Sequence, residues 1–439
     1  MADLLVTGKY LLTLDENSTF IEDGGVAVRG DTIIEIGHGG TLIKKYPAAE
    51  LIREDNGLIM PGLINTHTHA AMACFRGLAD DLPLMTWLNE YIFPAEATLT
   101  GEIVYHSTLL SMCEMIRSGT TAFCDMYLFA EHVARAAGQS GMRAWVGEAL
   151  YDFPSPNYGE SENGLAYTRD LLERYKGSDM ISITVDPHAV YTCSPDLLTR
   201  LGAMAEEYKA LFLIHLAENQ DEVHTCNQRY GKTPVQHLEA LGLLGERMVA
   251  AHCVVLNEEE IQLLAERKVG VAHCAESNMK LASGIAPVPA MLAAGVRVGI
   301  GTDGSASNNN VDMFSEMNTV AKLHKVHQLD PTVMSAEETL RAATRGGAMI
   351  LGMDGKIGSL ETGKKADLIV LDFDQPHLTP VYNPVSHLVY AARGSDVIHS
   401  VIGGKVVLRN RQLTTLDEEE IMSRAVEIGM KIQDAGKQC

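Results

Sequence analysis

Three histidines and one aspartate, far apart in the chain, form a set that could hold one divalent cation. His67 and His69 flank Thr68 at the end of the run GLINTHTH. Side chains two residues apart on a strand share a face, about 7 Å apart along it, so both imidazoles can reach one ion. His215 closes the apolar run LFLIH, and Asp303 closes VRVGIGTD. Taken singly, the His67–His69 pair reads equally well as two buried structural residues, and a lone histidine such as His215 is more often a core residue than a ligand. A carboxylate ending a buried strand needs a partner, because an unpaired buried charge is costly. Together the four make a His₃-Asp set whose nitrogen and oxygen donors suit Zn²⁺, with Fe²⁺ or Mn²⁺ as alternatives.

Other residues near these four could move protons. Glu218 follows His215 by three positions, where a carboxylate can stand beside a metal without ligating it. His252, in AAHCV, could hold a leaving group or a water, and His188 ends ISITVDPH. Two phosphate-type patterns do not fit their context. Gly299, Gly301 and Gly304 match G-x-G-x-x-G, but the pattern contains Asp303 and lacks the acid about 20 residues on. The stretch from Gly358 to Lys365 resembles a P-loop, yet Lys365 stands where a hydroxyl should be and a strand follows. The H-x-E and P-C-x-x-C signature of the other zinc deaminases is absent.

The elements that must position these residues alternate in type. Strand-like runs occur at 62–69, 120–126, 143–150, 181–188, 211–218, 248–254, 269–274 and 296–303. Helical stretches such as 194–210 and 257–268 lie between them, the second opened by an Asn257/Glu260 capping box. Eight strands alternating with helices predict a parallel α/β architecture. Histidines or acids end six of the runs: His67 and His69, Asp125, His188, His215, His252 and Asp303. A barrel gathers such ends into one mouth, where an open sheet would spread them along an edge. Short strands at 3–14, 25–28 and 32–36 resemble those at 366–373, 397–410 and 411–416, so the two ends are expected to build one β-domain around an inserted middle.

Composition narrows the function. The chain has 439 residues, 35 basic against 57 acidic, and a net charge of −22. This disfavours nucleic acid and anionic membrane surfaces as partners. The first 20 residues lack a signal-peptide pattern and no run of about 18 apolar residues occurs. The eight cysteines, 74, 113, 124, 193, 226, 253, 274 and 439, form no C-x-x-C pair and read as reduced thiols of a cytoplasmic protein.

The segments PGLINTHTHAAM, HLAEN, AAHCV, GTDGSASNNN and GSLETGKKADLIVLD resemble the amidohydrolase superfamily over nearly the whole chain. Within it, the chain is most similar to the 5-methylthioadenosine/S-adenosylhomocysteine deaminases. The resemblance implies a (β/α)₈ TIM-type barrel (59–362) inserted in a small β-sandwich formed by 1–58 and by 363–439 with its terminal helix. It implies one divalent ion per subunit on His67, His69, His215 and Asp303, with Glu218 as proton shuttle and His252 at the reacting centre. His188 is implied to contact substrate, Trp87 to stack near the purine and Glu96 to bind the ribose hydroxyls. One stretch departs from the pattern: Cys274-Ala275 stands where relatives have Asn-Pro. A homo-oligomer is also implied.

The implied reaction is hydrolytic deamination of an adenine ring to the inosine analogue and ammonia. Asp303 takes a proton from water, Glu218 protonates purine N1, and His252 stabilises the tetrahedral state at C6. The substrates implied are 5′-methylthioadenosine, S-adenosylhomocysteine and adenosine. Guanine-type deaminases and triazine chlorohydrolases share most of these motifs and stand as the alternative, as does a non-catalytic binding or assembly barrel. A substrate carboxylate would require an arginine. Arg169 and Arg174 lie in a plausible loop-helix region, but the pattern does not say whether either faces the site.

Overall fold

The computed structural model describes residues 1–436; Cys439 therefore lies outside the described residues. Eight parallel barrel strands run in chain order: β1 (Leu63–Thr68), β2 (Thr120–Tyr127), β3 (Arg143–Leu150), β4 (Ile181–Ile183 and Asp186–Pro187), β5 (Phe212–Leu216), β6 (Met248–His252), β7 (Gly270–His273) and β8 (Arg297–Ile300). Each corresponds to one of the eight runs read from the sequence. Strands β1 to β4 form one hydrogen-bonded sheet and β5 to β8 another. Isolated bridges from Val185 to Phe212 and from Ala189 to His215 join β4 to β5. On the other side, Asp303 N donates to His67 O at 2.9 Å and joins β8 to β1. The ring is thus closed, and the polar strand ends meet at one mouth, as a barrel requires.

The helices form where capping chemistry starts them. Ser194 caps the helix Pro195–Tyr208, with proline in its first turn. The Asn257/Glu260 capping box is present at the head of Glu258–Glu266. Most buried apolar side chains make one continuous core through the barrel and its helices.

The termini form a nine-stranded sheet, and its central strand, Glu50–Pro61, is absent from the sequence reading. That strand pairs in parallel with Leu4–Leu12 and antiparallel with Leu368–Asp372. Its first half, ELIREDN, carries four charges and shows no apolar alternation, so periodicity missed it. The segment 397–410 is two strands, Val397–Ile402 and Lys405–Arg409, joined at Gly403-Gly404. A Cβ on Gly404 would stand 1.9 Å from Gly30 O, so this hairpin touches the turn after Gly24–Arg29. These two hairpins lie far apart in strand order. The sheet therefore folds over on itself and encloses a second core of Leu4, Val6, Val26, Ile59, Val370 and Val401.

The ion pair Arg143–Asp367 ties β3 to the C-terminal strands. Arg143 Nε and Nη2 reach Asp367 at 2.8 and 3.2 Å, with both side chains buried. No described helix is long and apolar enough to cross a membrane.

Candidate active site

The last residues of β1, β5 and β6 and the turn after β8 converge. His67, His69 and Asp303 offer ligand atoms within 4.8 Å of one another, as do His67, His215 and His252. Asp303 Oδ1 lies 3.2 Å from His69 Nε2 and 3.6 Å from His67 Nε2, while His69 and His215 bring their Nε2 atoms to 3.3 Å. The four residues expected to share an ion are brought together.

The surrounding carbonyls decide which nitrogen of each ring carries the proton. His69 Nδ1 faces Met126 O, and His215 Nδ1 faces His188 O at 2.8 Å. A carbonyl accepts only from N–H, so each Nδ1 is the protonated nitrogen and each Nε2 turns a lone pair inward. His252 Nδ1 pairs with Asn278 Oδ1 at 2.9 Å and follows the same rule. Both nitrogens of fully buried His67 lack a hydrogen-bond partner. Lone pairs and a carboxylate facing one another repel unless a cation lies among them, so this donor set fits a divalent ion. Burial pulls His67, His188 and His215 below the ordinary histidine range, His188 to about 3. His69 is the exception: burial opposes its charge, but Asp303 beside Nε2 raises it to about 9, so a second proton, on Nε2, takes the place beside Asp303 that a cation would otherwise fill. The cluster attracts one positive charge.

The two oxygens of Asp303 face different ways. Oδ1 faces the imidazoles, while Oδ2 accepts from Ser277 Oγ at 2.6 Å and Ser307 Oγ at 2.8 Å. Ser277 and Asn278 both lie on the helix Ala275–Lys280, in the stretch that departs from the family pattern. None of Ser277, Asn278 and Ser307 was read as functional from the sequence. The signal available was a short polar helix immediately after a barrel strand. Asp125 also supports the site from behind: its Oδ1 accepts from Thr68 Oγ1 at 2.8 Å and from Ala70 N at 2.5 Å, which fixes the chain around His69.

The glycines of the rejected G-x-G-x-x-G pattern have a packing role here. A Cβ on Gly299 would meet Thr66 at 2.7 Å, on Gly301 the His67 backbone nitrogen at 2.7 Å, and on Gly304 the Met72 sulfur at 2.9 Å. They allow β8 to close against β1. The backbone is strained at the mouth, with positive φ at Ala217 (51°), His252 (72°) and Asp303 (62°), the kind of strain that concentrates at working sites.

A cleft opens onto this cluster, lined by His69, His215, His252, Asp303, Glu218, His188, Trp87, Glu96 and several apolar side chains. Glu218 is buried, and burial raises its carboxyl above the usual range. Glu222 holds the turn behind it, accepting from Ala217 N at 3.0 Å and Glu218 N at 2.8 Å. Trp87 donates its indole N–H to Ala79 O at 3.1 Å, and burial pushes Glu96 up to about 7. Arg169 and Arg174 do not line the cleft: they pair at the surface with Glu207 and Glu131.

The Amidohydrolase family profile matches residues 58–407, and the chain belongs to that family of metal-dependent hydrolases. Its relatives are more specific. The 5-methylthioadenosine/S-adenosylhomocysteine deaminase of Syntrophobacter fumaroxidans is 56% identical over 432 residues, covering 98% of this chain and 99% of that protein. The 5-methylthioadenosine/S-adenosylhomocysteine deaminase 1 of Syntrophus aciditrophicus is 50% identical over 437 residues, covering 99% of both. Among solved structures, an adenosine deaminase from Xanthomonas campestris with bound zinc matches at a TM-score of 0.95 and 38% identity, over 99% of each chain.

Proposed function

We propose that the chain hydrolyses the exocyclic amine of the adenine ring in 5′-methylthioadenosine, S-adenosylhomocysteine and adenosine, releasing ammonia and the inosine analogue. The observation that carries this reading is the convergence of inward-facing imidazole lone pairs and Asp303 Oδ1 at the floor of a cleft that also contains buried Glu218. The names of the relatives, 46–56% identical over nearly the whole chain, support the substrate class.

His67, His69, His215 and Asp303 would hold one divalent ion, Zn²⁺ on the chemistry of the donors. Bound there, such an ion would supply the Lewis-acid chemistry that makes a neighbouring water a stronger acid near neutral pH. Asp303 accepts the proton that water gives up, and the two serine hydroxyls on Oδ2 keep Oδ1 pointed at the reacting centre. Glu218, its affinity for protons raised by burial, delivers a proton to purine N1 and makes C6 electrophilic. His252, its ring held by Asn278, faces the reacting centre and stabilises the tetrahedral state at C6. His188 and Trp87 line the ring's cavity, and Glu96 accepts from the ribose hydroxyls.

The division proposed is a barrel over 59–362, with 1–58 and 363–439 as the two parts of the β-sandwich. A homo-oligomer acting on a free nucleoside is part of the same reading. The seven described cysteines are free thiols, in keeping with a cytoplasmic setting.

The test is an ammonia-release screen across adenosine derivatives, guanine and triazines, with metal content measured on the same sample. Turnover of the adenosine derivatives alone is expected. Glu218→Gln should keep fold and metal and lower kcat by about 10²-fold or more. Near wild-type turnover in that variant would remove Glu218 from the mechanism.

A further inference from the structure

We infer that the outer part of the cleft is a subsite for an uncharged thioalkyl group, and that it discriminates against a 5′ substituent carrying an amino-acid carboxylate. This rests on the adenine-deaminase reading above and ranks the substrates that reading leaves level.

The polar floor of the cleft accounts for the reacting ring. With C6 at the His67–Asp303 cluster and the ribose at Glu96, the 5′ carbon points toward the walls next to Glu96. The apolar side chains that line the cleft include Leu88, Ile92, Phe93, Leu128 and Tyr151. Phe93 lies on the same helix as Glu96, three residues before it. Its ring centroid is 6.0 Å from that of Phe153, which stacks on Tyr151 at 4.0 Å. Phe153 is itself half exposed, so this aromatic face runs from the cleft to the surface. A thioether sulfur packs well against aromatic rings, and an alkyl chain gains by leaving water there.

No arginine or lysine lines the cleft among the described residues. Cations that reach its bordering segments are engaged elsewhere. Lys280 binds Asp80 at 2.5 Å and Ala306 O at 3.1 Å, Arg229 donates to Tyr191 O at 3.0 Å, and Arg76 binds Glu114. Arg169 and Arg174 are tied to surface acids. Away from the imidazole cluster, the ionisable side chains that face the cleft include the carboxyl groups of Glu96 and Glu218. An amino acid's ammonium group could find a partner among acids, whereas its carboxylate would lose water and meet none.

The experiment compares kcat/KM for 5′-methylthioadenosine, S-adenosylhomocysteine and 5′-butylthio-5′-deoxyadenosine, whose neutral tail approaches the length of the homocysteine. The neutral long-tailed nucleoside should stay within a few-fold of the methylthio compound, and S-adenosylhomocysteine should fall about 10-fold or more below both. Phe93→Arg, which puts a guanidinium on the wall, should narrow that gap by raising the S-adenosylhomocysteine value. S-adenosylhomocysteine turned over as well as the neutral nucleosides overturns the inference, including the case where a second copy of the chain supplies a cation. Equal loss with the neutral long tail also overturns it, because length and not charge would then be the discriminant. Failure to deaminate any of the three overturns the adenine-deaminase reading as well; turnover with the order reversed overturns the present inference alone.

Discussion

Ser277 and Ser307 offer the sharpest test of how Asp303 is held. Both hydroxyls donate to Oδ2, at 2.6 and 2.8 Å, on a carboxylate that is 4% exposed. A hydrogen bond to a charged acceptor contributes about 1.5–3 kcal/mol, equivalent to about 10- to 150-fold in a rate or binding constant. Removing one leaves the other to hold Oδ2, so Ser277→Ala or Ser307→Ala should lie near the lower limit, about 10-fold in kcat/KM. Removing both leaves Oδ2 buried with neither hydroxyl donating to it. The double variant should then lose more than the product of the single effects, because the two residues share one acceptor. Metal retention should fall in parallel, by the 10- to 100-fold typical of groups that orient ligands. The assay is steady-state ammonia release, combined with metal content after dialysis against graded chelator and a thermal melt to check folding. A double variant within about 3-fold of wild type in both rate and metal retention would refute the reasoning.

Three further outcomes are expected. Arg143→Met strands Asp367 in the interior and should cost about 3–5 kcal/mol. With an unfolding entropy of about 2.1 cal/mol/K per residue over 439 residues, that lowers Tm by about 4 °C, and adding Asp367→Leu should recover most of it. Gly301→Ala forces a methyl against the His67 backbone and should abolish tight metal binding while the far side of the barrel keeps its structure; an unchanged metal stoichiometry would count against the close approach described. Burial pushes Glu148 up to about 7, against about 4.5 unfolded, so the folded state holds the extra proton between those values and stability falls as pH rises through them. Glu148→Gln lacks this term. Its Tm relative to wild type should therefore rise between pH 5 and pH 7 in circular dichroism melts, and a flat difference would sink the assignment.

The eight barrel strands were legible because they are apolar runs, six of them closed by a histidine or an acid, which is how a buried parallel strand with a site at its end must be written. The cluster itself was legible for the same reason: His67, His69, His215, His252 and Asp303 are the closing residues or stand next to them. Less was legible where partners, not pattern, make the structure. The strand Glu50–Pro61 is half charged and is held by neighbours on both sides. Ser277, Ser307 and Asn278 are ordinary loop residues until the fold aims them at Asp303 and His252. At the break in β4, Thr184 N donates to Val146 O of β3 and Leu213 N of β5 donates to Val185 O, pairings between distant segments that periodicity does not encode.

The junction at Gly62 has a practical consequence. Its own N–H is given to Asp367 O in the terminal sheet, at 3.1 Å, and the next residue's N–H to Gly119 O at the start of β2, at 3.0 Å. One glycine thus passes the backbone from one scaffold to the other, five residues before His67. A protein engineer who trimmed the chain to its catalytic ring would cut the rail on which the first two imidazoles are mounted. The termini are better regarded as part of the jig that machines the site than as dispensable packaging.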